Sequence, residues 1–499
     1  MNMRINRGWI GVTALALALG LHGCGGGGGE NTTALVKQIP VSTPAQIAQE
    51  SAADYNDNVN GLITAATLKR WKDDWLNQRP AGITGKLVIL QVSAGPTSAD
   101  NSAYAANTAY IKPNGVNVFT YLSPSSDWIQ TRSNGVIETP SMVPDGASMD
   151  ALLKKFNIDP KNDMIVAAMG TGSTSNAMNQ GRIWYALRYW GVDKKNLAIL
   201  NGGNSWLTAG TQTFPATLTG TDFQAAASVP PNNGHASVKD LLVDNTQLQA
   251  TLGDMLAILP SSDTNVLNDG VFIWDARSRD QYSAAQTDNA GNFPALACAP
   301  GGSTAICTQN SGSRQGHPFG ALQLDYTNML VAAEGFRYKD KAALQSYLDG
   351  NVSGAGFIAG DYQSVGVGNA YQPNDVVYTY CETTFRAMIT GVVSGVILGK
   401  PTRFYDGAMV EWNSLTPGSV RLDSTGNAIL PENSPWRTDL KSFYIAAAPE
   451  PTAFVAQRYI TNAYANSSNA IINADKAYKY GEVIPAAGTS APPANPCGG

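Results

Sequence analysis

One residue of the 499-residue chain is placed for nucleophilic chemistry. Cys381 ends the apolar run at 375–381 (DVVYTYC) and opens the segment Cys381, Glu382, Thr383, Thr384, Phe385, Arg386. From Ala387 onward the pattern predicts a helix. A strand, a short loop and a helix place the thiol at a helix N-terminus, where unpaired backbone N–H groups and the helix dipole favour the thiolate. The same cradle suits an anionic persulfide. Arg386 and the loop amides are the groups that would hold the charge, and Glu382, Thr383, Thr384 and Phe385 are what a substrate would meet. Two other readings compete. A phosphatase also uses a cysteine, a loop and an arginine, but its loop is one residue longer; the shorter loop here has room for a sulfur on sulfur and crowds a phosphate. A free cysteine at a strand end is often plain core, yet polar residues opening a helix after it are not what a structural thiol needs.

The thiol requires a sheet beneath it. Residues 86–92 (KLVILQV), 163–169 (DMIVAAM), 271–276 (VFIWDA) and 375–381 are short unbroken apolar runs bounded by turn residues, the pattern of strands covered on both faces. The order of signals before residue 229 returns after residue 238. Strands alternating with helical segments predict an α/β class, two tandem domains at 61–229 and 238–445, each a parallel sheet flanked by helices. Ile183, Leu187 and Trp190 at helical spacing predict a core-facing stripe, and Gly191 ends that helix. Residues 230–237 (PPNNGHAS) read as the connection, 25–60 as a linker with one short helix, and 446–499 as a tail without strand pattern.

The Cys381 segment resembles the active-site loop of the rhodanese superfamily of sulfurtransferases, in which a strand-end Tyr-Cys opens the loop and an arginine closes it. Three further segments resemble that superfamily in its order: 274–282 (WDARSRDQY), 314–326 (RQGHPFGALQLDY) and 404–412 (FYDGAMVEW). Residues 181–210, with Leu-Asn-Gly-Gly and a tryptophan, are similar to the first domain of the two-domain members, and the likeness spans roughly residues 62–445. It implies tandem rhodanese-like domains, a Cys381 persulfide, a small sulfur donor, a thiol or cyanide acceptor, and no metal or organic cofactor. By motif position Asp275, Arg277, Arg314 and His317 support the site, Arg314 touches substrate, and Glu411 and Trp412 line the rim. The first domain departs: residues 167–182 (AAMGTGSTSNAMNQGR) hold no cysteine, so it is the inactive partner. Glu382 replaces the basic residues frequent in thiosulfate-using loops, and Thr384 replaces a common glycine. The donor stays open among thiosulfate, mercaptopyruvate, a polysulfide and a bound persulfide. A rival from another class is a non-catalytic exported protein that docks a partner, supports surface electron transfer or handles selenium or tellurium oxyanions.

The remaining signals concern location. Arg4 and Arg7 precede an apolar run at 9–21 too short to span a bilayer but fit for an export signal. Leu21-His22-Gly23-Cys24 resembles a bacterial lipobox, with His22 unusual in it, and Gly25 through Gly29 look like a tether. Lipidated Cys24 would anchor an exported protein to the outer membrane. Cys298 and Cys307 bracket a turn-rich insertion, and an exported chain favours their disulfide over zinc, for which only His235 and His317 remain as imidazoles beyond the signal. Cys497 is a free thiol or a cross-link. With 33 basic and 38 acidic residues and a formal charge of -5, the chain has no electrostatic footprint for nucleic acid. Cys24→Ala should release the protein from membranes or leave it unprocessed; fully processed protein still in the membrane fraction would refute lipidation.

Overall fold

The computed structural model describes residues 39–96, 108–134, 138–209, 218–282, 316–352, 355–360, 363–414, 442–443 and 470–481. Cys24, Cys298, Cys307, Cys497 and Arg314 lie outside these, as does the expected disulfide.

The four apolar runs form strands where expected. In the first half the sheet strands are β1 (Gly61–Ile63), β2 (Leu87–Gln91), β3 (Val118–Leu122), β4 (Met164–Ala168) and β5 (Leu197–Leu200); in the second they are β6 (Gln249–Ala250), β7 (Val271–Asp275), β8 (Leu322–Gln323), β9 (Val376–Tyr380) and β10 (Thr402–Tyr405). All pairings within both sheets are parallel. Their orders are β1-β5-β4-β2-β3 and β6-β10-β9-β7-β8. Counting from the first strand of each half, the two orders are the same permutation. The chain therefore holds two tandem α/β units, each a parallel sheet flanked by helices.

Alternation along the strands explains the continuous apolar runs. Leu87 and Ile89 face one cluster with Trp71 and Trp75, while Val88 and Leu90 face another. That second cluster is shared: Val88 and Ile165 belong to it, and so do Phe272, Val377 and Phe404 of the other half. Helix α1 (Gly146–Phe156) packs its buried face on this cluster, and helix α2 (Thr174–Tyr189) and helix α3 (Phe385–Val392) meet each other between the sheets. A Cβ on Gly181 of α2 would stand 2.8 Å from the Met388 Cβ of α3, so these helices meet closely enough that only glycine fits. Ile183 and Leu187 are buried, and Gly191 follows the helix with φ +104°, as the sequence predicts.

Helix α4 (Ala408–Ser414) follows β10, and helix α5 (Ala470–Tyr480) closes the described chain. None of the described helices is long and apolar enough to cross a membrane. Helix α5 docks on the first half. Arg132 makes a two-pronged pair with Asp475 at 2.9 and 2.7 Å, the Tyr189 hydroxyl donates to the same carboxylate at 2.7 Å, and Lys479 donates to the carbonyls of Trp190 and Val243. Residues 39–60 also pack rather than link. Val393–Ile397 continues α3 as a π-helical turn, and its carbonyls at Gly395 and Ile397 accept the amides of Gln49 and Ser51. Ile47 and Tyr55 are buried there.

The halves are also joined by charge. Arg182 of α2 pairs with Asp406, just past β10, at 2.5 Å; the two side chains are 1% and 0% exposed. The guanidinium further donates to Ser141 and Trp128 carbonyls, and Asp406 accepts the Val143 amide at 2.7 Å. Replacing one partner strands the other charge in the core. Arg182→Met should therefore cost about 3–5 kcal/mol in denaturant unfolding, and a loss under about 1 kcal/mol would show that the pair does not carry the interface.

Candidate active site around Cys381

The site is assembled by strand register. Asp275 at the end of β7 lies opposite Tyr380 at the end of β9, and Thr379 of β9 opposite Phe404 of β10. Three segments far apart in sequence thus end side by side at the C-terminal edge of a parallel sheet, where such sheets bind ligands. The Tyr380 hydroxyl donates to Asp275 at 2.8 Å. Asp275 also takes the Arg277 amide and its guanidinium at 2.6–3.1 Å, and Arg277 reaches the Gly316 carbonyl. Burial and Asp275 push the Tyr380 phenol well above its ordinary range. Burial opposes the Arg277 charge, yet Asp275 outweighs it and holds the proton more firmly than usual.

Cys381 is fully buried against Ala276 and Ala387. Its carbonyl and that of Glu382 accept the amides of Met409 and Val410 in the first turn of α4 at 3.1 and 3.2 Å. Helix α3 starts at Phe385, two residues earlier than the sequence predicts, so the loop proper is Cys381, Glu382, Thr383 and Thr384. Thr384 takes φ +65°, a left-handed conformation costing a β-branched residue roughly 1–3 kcal/mol. Its hydroxyl offsets this by donating to the carbonyls of Tyr405 and Asp406, both at 2.9 Å. Here the sequence puts a threonine where the turn favours glycine, and the structure shows what holds it.

Glu382 is buried, with its carboxylate 3.7 Å from Arg277. Its charge is matched from below the loop, which weakens the expectation that it repels an anionic donor. Arg386, half-buried in the first turn of α3, donates to the Gln281 side-chain oxygen. Thr383 and Phe385 are also half-buried.

Two residues expected on the rim sit elsewhere. Glu411 and Trp412 are not on a rim: they are 3% and 0% exposed. Asn134, on the hairpin between 130–133 and 138–142 of the first half, donates to Glu411 at 2.6 Å, and Trp412 packs edge-on to Tyr405. Motif position cannot report burial: the first half's hairpin meets Glu411, and Trp412 is buried in the second half's own core. His317 stacks on Tyr282 at 3.6 Å and bonds Asp263 at 2.9 Å and the Tyr282 carbonyl at 2.7 Å, as a packing residue. In the first half Met169, also fully buried, follows β4 at the place Cys381 takes after β9. The loop beyond it is pressed by the second half: the Gly203 amide donates to the Gly335 carbonyl, and a Cβ on Gly172 would stand 2.8 Å from that oxygen. No group of three or more potential metal ligands occurs among the described residues.

No family model matches the sequence. No curated protein matches it either. Solved structures do. Tum1 from Saccharomyces cerevisiae is 15% identical with a TM-score of 0.46, covering 71% of this chain and 95% of that one. SseA from Escherichia coli, described with the rhodanese fold of 3-mercaptopyruvate sulfotransferases, is 15% identical with a TM-score of 0.42, over 70% and 98%. The 3-mercaptopyruvate sulfurtransferase from Leishmania major is 15% identical with a TM-score of 0.37, over 70% and 73%. Identity this low leaves the chemistry to be argued from this chain's own residues.

Burial pushes the Glu411 carboxyl up to about 7, against the pull of Tyr405 and Asn134 and with repulsion from Asp406 adding to it. Its folded value lies above the unfolded one near 4.5, so the folded state binds the extra proton between them. Stability from this group is present below pH ~4.5 and is lost as pH rises through ~7. Glu411→Gln should flatten that part of the stability profile and gain relative to wild type at pH 8. Parallel unfolding curves for both proteins from pH 5 to 8 would refute the assignment.

Proposed function

We propose that the chain is a rhodanese-like sulfurtransferase working through Cys381. The observation that carries this reading is convergence: the Asp-Ala-Arg, Tyr-Cys and Tyr-Asp-Gly segments meet through Asp275–Tyr380 and Thr384–Asp406 bonds around one thiol. In the first step the Cys381 thiolate attacks the outer sulfur of thiosulfate or a polysulfide, or the thiol sulfur of mercaptopyruvate, whose C–S bond breaks. A sulfur–sulfur bond forms, and the donor's remainder leaves with the bonding pair. In the second, an acceptor thiolate or cyanide attacks the outer sulfur and Cys381 departs as thiolate. Redox balance closes without a cofactor. The amides opening α3 and the Arg386 charge would hold the anion in each state. The first half, with Met169 in place of a nucleophile, serves as scaffold. Thiosulfate, mercaptopyruvate and polysulfides all fit this scheme. The lipobox-like Leu21 to Cys24 supports an exported protein held to the outer membrane by lipid.

The complete burial of Cys381 favours a second reading, a non-catalytic exported protein that docks a partner or handles selenium or tellurium oxyanions. Mass spectrometry of the Cys381 peptide separates the two. Incubation with a sulfane donor should add the mass of one sulfur, removable by cyanide, and Cys381→Ser should abolish both loading and turnover with little effect on folding. No added sulfur with any donor would leave the docking protein, and full activity in Cys381→Ser would remove Cys381 as the carrier.

A further inference from the structure

Two buried polar residues that the transfer scheme does not use, Asn134 and Glu411, stand behind the backbone of Cys381. Glu411 lies in α4, and the first turn of that helix carries the loop: the Met409 amide donates to the Cys381 carbonyl at 3.1 Å and the Val410 amide to the Glu382 carbonyl at 3.2 Å. The carbonyl and the sulfur belong to one residue, so the seat of α4 decides the seat of the thiol. Helix α4 is only seven residues long, and its first residue, Ala408, takes the left-handed φ of +53°. The Glu411 amide donates to the Gly407 carbonyl at 3.0 Å, and its carboxylate folds back over Gly407, where a Cβ would collide with Oε2. A short helix with a strained start and a buried carboxylate needs a hold from outside. The first half supplies one: Asn134, 1% exposed, donates to Glu411 Oε1 at 2.6 Å.

Asn134 is itself held. It follows the strand Gln130–Ser133, whose Arg132 is clamped by Asp475 of α5 at 2.9 and 2.7 Å, and the Tyr189 hydroxyl donates to the same carboxylate at 2.7 Å. A line of hydrogen bonds and backbone therefore runs from α5 through Arg132, Asn134 and Glu411 to the Cys381 carbonyl. Asp475, Arg132, Asn134, Glu411 and Cys381 are all buried, so water does not replace a partner that is lost.

We infer that Asn134 and Glu411 are positioning residues for Cys381, and that the terminal helix α5 sets them through Arg132. This rests on Cys381 being the sulfur carrier, and it gives the cysteine-free half a part in the site beyond packing. Two measurements on the full chain test it. In Asn134→Ala, hydrogen exchange at the Met409 and Val410 amides should quicken by about tenfold, the scale of one buried hydrogen bond. The rate of sulfur loading on Cys381 at saturating thiosulfate should fall by about ten- to hundredfold, with the half-saturating concentration little changed, as a misplaced nucleophile requires. Asp475→Asn, which loosens α5 and leaves Asn134 in place, should move both in the same direction. Glu411→Gln keeps an acceptor for Asn134 and should load as wild type does. Unchanged exchange in a folded Asn134→Ala overturns the inference even if wild type loads sulfur, and so does faster exchange with an unchanged loading rate. Faster exchange in Asn134→Ala, with no loading of wild type by any donor, overturns the sulfur-transfer reading and keeps the pair as what holds the Cys381 backbone. An effect in Asn134→Ala with none in Asp475→Asn removes α5 from the arrangement.

Discussion

The geometry of the thiol depends on Asp406. Its carboxylate is fully buried and is held from the first half by Arg182 and by the Val143 amide. Its carbonyl, with that of Tyr405, is held from the other side by the Thr384 hydroxyl. A lone carboxylate at that depth would cost several kcal/mol, so the two halves cannot separate without exposing or stranding it. Because Thr384 hangs from the same residue in a strained left-handed turn, the loop that positions Cys381 is fixed by the contact that joins the halves. Gly181 and Met388 allow this by letting α2 and α3 approach within glycine distance.

Electrostatics around the loop follow a similar economy. Asp275, Arg277, Tyr380 and Glu382 form one buried set in which every charge has an opposite neighbour. The set supports the strand end that carries Cys381. Glu382, which looks hostile to an anionic donor in the sequence, is instead part of the foundation.

What the sequence made legible was what repeats or what is continuous. The runs at 87–91, 164–168, 271–275 and 376–380 are strands because burial on both faces demands unbroken apolar stretches. Cys381 was legible because strand, thiol, loop and helix follow one another directly. The rest depends on contacts between distant residues. Helix α5 is fastened by polar anchors, Asp475 with Arg132 and Tyr189, and these leave no periodic trace. Residues 39–60 pack through Ile47, Tyr55 and backbone bonds to the π-helical turn, too few apolar residues to distinguish from a linker. The start of α3 came early because the left-handed Thr384 ends the loop, and Glu411 is met by a hairpin from the other half.

The two ends of the described chain each bridge the halves. Residues 47–51 cover α3 of the second half before the first half begins, and α5 returns to the first half after the second is complete. Although the sheets repeat one permutation, the halves are not modules in the genetic sense. The Ile47 and Ala48 carbonyls also accept Arg188 and Lys194 of the first half, and α5 also reaches Val243 and Asp244 of the second, so a cut in 230–237 severs contacts of both ends. Neither piece of such a cut would keep all the contacts that bury its own ends, so the chain is closed by its termini as much as by its sheets.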